Sequence, residues 1–97
     1  MYLSSLQQFI LLKVLERRER VERKIFRVFY KTKKVKEKYQ EEIITKSLMS
    51  LIDRELLVGY GKRTPHKWFI THVRLTRKGI KHGQILLEEK QRKLPLR

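Results

Sequence analysis

Apolar residues recur at three- and four-residue steps from Ile43 to Val58, where Ile44, Leu48, Leu51 and Ile52 share one helical face. The spacing predicts a helix over 39–55 with that face in a core. At about 100° per residue the opposite face carries Glu42, Lys46, Ser50 and Asp53, flanked by Thr45, Ser47 and Met49. This surface is polar and mostly short-chained, free to lie against something. Leu57 to Arg63 then runs through Thr64-Pro65-His66 into Lys67 to Leu75, which predicts a strand, a turn and a strand over 57–75. Strict alternation puts Phe69, Thr71, Val73 and Leu75 on one face of the second strand and Trp68, Ile70, His72 and Arg74 on the other. Thr76 is placed to cap a helix over 77–93, with Ile80, Ile85, Leu86 and Leu87 as its apolar positions.

The N-terminal half follows the same logic with weaker punctuation. Ser4 or Ser5 can cap a first helix over 1–17, whose apolar positions are Leu6, Phe9, Ile10 and Val14. The surplus around Leu3, Leu11, Leu12 and Leu15 has two readings: a core helix touched on several sides, or a helix that also meets a second copy of the chain. A membrane-surface helix fits less well, because the basic residues follow the apolar run and do not lie opposite it. Val21, Ile25, Val28 and Phe29 repeat at helical spacing beside Phe26 and Tyr30, predicting a second helix over 21–34. The connection from Lys31 to Lys38 is longer than the turn of a simple helix-turn-helix, and the lack of Gly and Pro here favours helices that run long.

Ninety-seven residues make one domain, 1–97, able to bury roughly 60–65% of its unfolded surface. Twenty-five Lys and Arg against 10 Asp and Glu give a net charge of +15, which points to a polyanionic partner. With no cysteine there is no disulfide framework, thiolate metal site or cysteine nucleophile. No run reaches the ~18 apolar residues of a membrane span, and Met1 to Leu15 lacks signal-peptide features, so a soluble, cytoplasmic protein with no membrane partner is expected. His66, His72 and His82 lack metal-site spacing, and no Gly-rich phosphate loop or Gly-x-Ser-x-Gly occurs. No catalytic residue, metal, cofactor or small-molecule substrate is expected.

The run from Ile44 through Leu57, followed by Arg74-Leu75-Thr76-Arg77-Lys78-Gly79, resembles the winged helix-turn-helix family of small DNA-binding regulators. There an apolar-x-x-x-Leu-x-x-Leu-apolar-Asp-Arg-Gly-Leu-apolar helix leads into a wing and then into Arg-Leu-Thr-x-Lys-Gly. Glu55 stands where that family has a helix-ending Gly. The resemblance implies an α+β fold: a three-helix core, a two-stranded β wing and a C-terminal helix. It also implies sequence-specific double-stranded DNA binding by a homodimeric transcriptional regulator. The absence of Asn and Ala and a charged fraction of 36% fit the bias of proteins from very hot habitats, and the resemblance itself suggests similarity to small archaeal or archaeal-virus regulators.

On the 39–55 helix, Lys46 can donate to a guanine edge and Glu42 can accept from cytosine, while Tyr39, Gln40, Thr45 and Ser50 can touch bases or phosphates. Glu42 can equally pair with Lys38 or Lys46 on its own helix. Lys36, Lys38, Lys62, Arg63, His66 and Lys67 are the expected backbone and wing contacts; Arg17, Arg18, Arg20, Arg23 and Lys24 form a further basic group. Trp68 is expected in the core beneath the wing, with base stacking as its other use. Two rival functions remain: a non-specific architectural or single-strand/RNA binder, and a protein-interaction module.

Overall fold

A computed structural model describes residues 2–92. Helix α1 (Ser5–Arg17) opens with Ser4 as its cap: the Ser4 hydroxyl accepts the Gln7 N–H at 3.2 Å and the Gln7 side chain accepts the Ser4 N–H at 3.0 Å. Leu6, Ile10, Leu11 and Val14 are buried along it, and Leu15 is 9% exposed. Most of the surplus apolar character of this helix is therefore spent within the chain. Arg18 ends α1 in the left-handed region at φ 58°.

The next segment departs from expectation. Val21–Glu22 forms a short strand, β1, and Arg23–Tyr30 a 3-10 helix, in place of an α-helix over 21–34. Val21 pairs with Val73 and Glu22 with His72 on β3 (Trp68–Leu75), so the ladder claims residues that the local pattern assigned to a helix. At about three residues per turn, the 3-10 winding lines up Arg23, Phe26 and Phe29. Phe26 is fully buried, whereas Val28 is 55% exposed.

Helix α2 (Glu37–Asp53) begins and ends two residues before the expected 39–55. Its end is a Schellman motif, with Glu55 N–H on Ile52 O and Leu56 N–H on Leu51 O, both at 2.9 Å. Glu55 takes the left-handed position at φ 64°. The hairpin of β2 (Leu57–Arg63) and β3 matches the expected 57–75, and with β1 it makes an antiparallel sheet in the order β1-β3-β2. Strict alternation fails in β3. Tyr60 pairs with His72 and Gly61 with Ile70, leaving Thr71 as a bulge. The extra residue reverses the parity, so Ile70 joins Val73 and Leu75 in the core and Phe69 faces out. Gly61, at φ 150°, permits the close approach: a Cβ there would sit 1.9 Å from the Phe69 carbonyl oxygen.

Helix α3 (Arg77–Arg92) closes the domain; position 93 of the expected 77–93, like Met1 of the expected 1–17, lies outside the described residues. Ile44, Leu48 and Leu51 from α2 meet Phe26, Ile70, Val73 and the α1 residues in one core. Each such side chain contributes roughly 2 kcal/mol by leaving water. Among the described residues no helix is long and apolar enough to cross a membrane.

Candidate nucleic-acid interface

The core turns one side of α2 outward. Glu42 and Lys46 are exposed near the centre of that side, with Tyr39 at 54%, Ile43 at 41% and Met49 at 41% exposure. Ser50 is half-buried at its margin. Ile43 was hidden in the apolar run, yet it lies about 100° round the helix from Ile44, an offset that marks it as a surface residue. Two expected contacts sit elsewhere. Gln40 turns inward and its amide donates to Val35 O at 2.6 Å, closing the turn before α2. Thr45 is half-buried and its hydroxyl accepts from Arg23 at 2.8 Å.

Arg23 is the residue that local patterning missed. It belonged with the surface cations, but only 20% of its side chain is exposed. Its guanidinium donates to Glu41 O at 3.1 Å and Ile70 O at 3.4 Å besides Thr45, and pairs with the Glu41 carboxylate at 3.2 Å. Arg23 thus ties the 3-10 helix to α2 and to β3. Burial lowers its pKa, the adjacent Glu41 carboxylate opposes that shift, and Arg27 adds to it. Arg27 reaches α2 as well, bonding Glu41 at 2.5 Å and Glu37 at 3.4 Å. The carboxylates on this flank of α2 are therefore countered within the protein.

Across from α2, Lys67, Trp68 and Phe69 complete a groove of 410 Å³ with Arg23, Glu41, Glu42, Thr45 and Lys46. Trp68 is half-buried, its ring fitting the space left by Gly59 beside Ile52. The Arg63 guanidinium covers the ring at 4.0 Å. The wing tip is tied by Thr64, whose N–H donates to Lys67 O at 2.8 Å and whose hydroxyl accepts the Lys67 N–H at 3.0 Å. Pro65 and His66 form the tip, and Lys62, Arg63, His66 and Lys67 are all exposed. Lys36 and Lys38 are exposed at the other boundary, where α2 begins. The open face of α2 therefore lies between two cationic groups. Among the described residues no group of three or more His, Asp or Glu gathers as a metal site.

The chain superposes on ZitR of Lactococcus lactis with a TM-score of 0.66 and 18% identity, covering 95% of this chain and 56% of that one. It superposes on the adhesin competence repressor AdcR of Streptococcus pyogenes with a TM-score of 0.64 and 17% identity, covering 93% of this chain and 59% of that one. This architecture is a winged helix. The chain spans little more than half the length of these neighbours, and neither organism is archaeal or viral. No protein-family model and no curated protein matches the sequence.

Within the winged helix, the Arg-Leu-Thr-x-Lys-Gly run joins α3 to the end of α2. Thr76 accepts the Gly79 N–H at 2.9 Å as the cap of α3 and donates to Glu55 O at 2.6 Å. Lys78 donates to Arg54 O at 3.1 Å. Gly79 stands where a Cβ would lie 2.0 Å from Leu56 O, so only glycine lets the two segments meet this closely.

Proposed function

We infer that this chain binds double-stranded DNA sequence-specifically and regulates transcription as a homodimer. The observation that carries this reading is the open face of α2 set between the cations of its own N-terminus and those of the wing. Such a helix fits the major groove, while the wing reaches phosphates or the neighbouring minor groove. Lys46 and Glu42 are the base-reading residues, with Tyr39, Ile43 and Met49 around them. Lys36, Lys38, Lys62, Arg63, His66 and Lys67 supply charge to the phosphates and fix register. The half-buried Ser50 is left to a phosphate at the margin, while Gln40 and Thr45 hold α2 in place. The repressor named for one structural neighbour, AdcR, is consistent with this use of the fold.

The dimer is supported by α3, where Ile80 and Leu87, seven residues apart on one face of the helix, remain 41% and 42% exposed. A second copy related by a two-fold axis would cover this stripe and place two α2 helices on one duplex. The test is selection from a random duplex pool at near-physiological salt. The expected result is a motif with two half-sites about one helical turn apart. Tight binding without enrichment would contradict specific readout.

A further inference from the structure

The sheet has a second surface, turned away from α2. Register sets Tyr60 opposite His72 and Lys62 opposite Phe69. These pairs alternate with Gly59 opposite Val73 and Gly61 opposite Ile70, and Val73 and Ile70 are 0% and 2% exposed in the core. Tyr60, His72, Lys62 and Phe69 therefore share the outer face. Phe69 is 47% exposed there, and with Lys67 it also borders the groove opposite α2.

Cations frame the two rings. The Arg20 guanidinium lies 4.5 Å from the Tyr60 ring centroid, and Arg74 Nε donates to the Tyr60 hydroxyl at 2.9 Å. Lys67 Nζ lies 5.0 Å from the Phe69 ring, opposite Lys62 across the strands. Two acids border this face: Glu22, which pairs with Lys24 at 3.3 Å, and Glu19, which lines a pocket with Arg20, Glu22 and His72. A half-exposed aromatic on an open sheet, bordered by cations at both ends, matches what a single strand offers: flat bases and a regular line of phosphates. A duplex hides the faces of its bases in the stack and has only phosphates to give this surface.

We propose that the outer face of the sheet binds single-stranded nucleic acid, with a base stacked on Phe69 and the strand's phosphates between Arg20 and Arg74 on one side and Lys62 and Lys67 on the other. This surface shares Lys62 and Lys67 with the duplex reading, and what sets it apart is stacking on the Phe69 ring. Because Phe69 is exposed, replacing it leaves the core intact and the full chain folded.

The experiment follows the anisotropy of labelled oligothymidylate and oligouridylate with the wild type and with Phe69→Ala, Phe69→Leu and Phe69→Trp. Loss of one stacked base weakens binding by about tenfold or more in the Ala and Leu variants, while the Trp variant binds like wild type. The tighter of the two strands identifies DNA or RNA as the source. Phe69→Leu binding as tightly as wild type, or random duplex displacing the strand equally well in all variants, would overturn the proposal in favour of phosphate contact alone. If duplex selection finds no motif while strand binding depends on Phe69, the reading of α2 fails and this one stands.

Discussion

Between Ile44 and Gly79 the chain's turns are held by partners within that same segment, whereas between Arg18 and Lys36 the short strand and Arg23 are held from outside it. Glu55 and Leu56 bond back to Ile52 and Leu51, Thr76 caps α3 and reaches Glu55, and Lys67 closes on Thr64. Val21 instead depends on Val73, and Arg23 on Glu41, Thr45 and Ile70. Structure written locally leaves a pattern in the sequence; structure imposed by distant partners does not.

The largest effect is expected at Gly79. Gly79→Ala forces a methyl group into the Leu56 carbonyl and should cost about 3 kcal/mol or more, read as a fall in thermal midpoint. Gly83→Ala is its control on the same helix: the nearest atom is a Leu15 side-chain carbon at 3.4 Å, so it should be neutral or stabilise by up to about 1 kcal/mol. Equal losses at both positions would contradict the close approach at Gly79.

Arg23→Met tests the outside tether. It removes hydrogen bonds from a largely buried guanidinium and should cost about 2 kcal/mol in denaturant unfolding. Arg20→Met, at an exposed position, should cost much less. Similar values for the two would return Arg23 to the ordinary surface cations.

Binding divides along the same line. Lys46→Ala should reduce discrimination between selected and shuffled duplexes by about tenfold. The double replacement of Lys36 and Lys38 by Gln should weaken both duplexes alike and flatten the salt dependence by up to about two units of slope. The smallest effect expected is a gain: Glu55→Gly relieves a left-handed non-glycine residue and should stabilise the fold by about 1 kcal/mol.

The second half of the fold was legible because its helix, hairpin and cap each carry a short-range signal: the spacing of Ile44, Leu48 and Leu51, the turn at Thr64-Pro65, and Thr76 before Arg77. The first helix was legible for the same reason. β1 was not, since two residues hold no periodicity and their partner lies on a later strand. The Thr71 bulge was also silent, and it reversed the faces assigned to Phe69 and Ile70. At the candidate interface, exposure of Lys46, Glu42 and the wing cations followed from the helical wheel and the turn. The inward roles of Gln40 and Thr45 depend on Val35 O and Arg23, which side-chain type alone does not reveal.

The central claim is that the open face of α2 reads sequence while the surrounding cations supply affinity. Its most direct test is the dissociation constant for the selected and the shuffled duplex across a salt series. The expected result is two steep lines separated by a factor on the order of a thousand, with the separation shrinking in Lys46→Ala. Coincident lines at every salt concentration would contradict it.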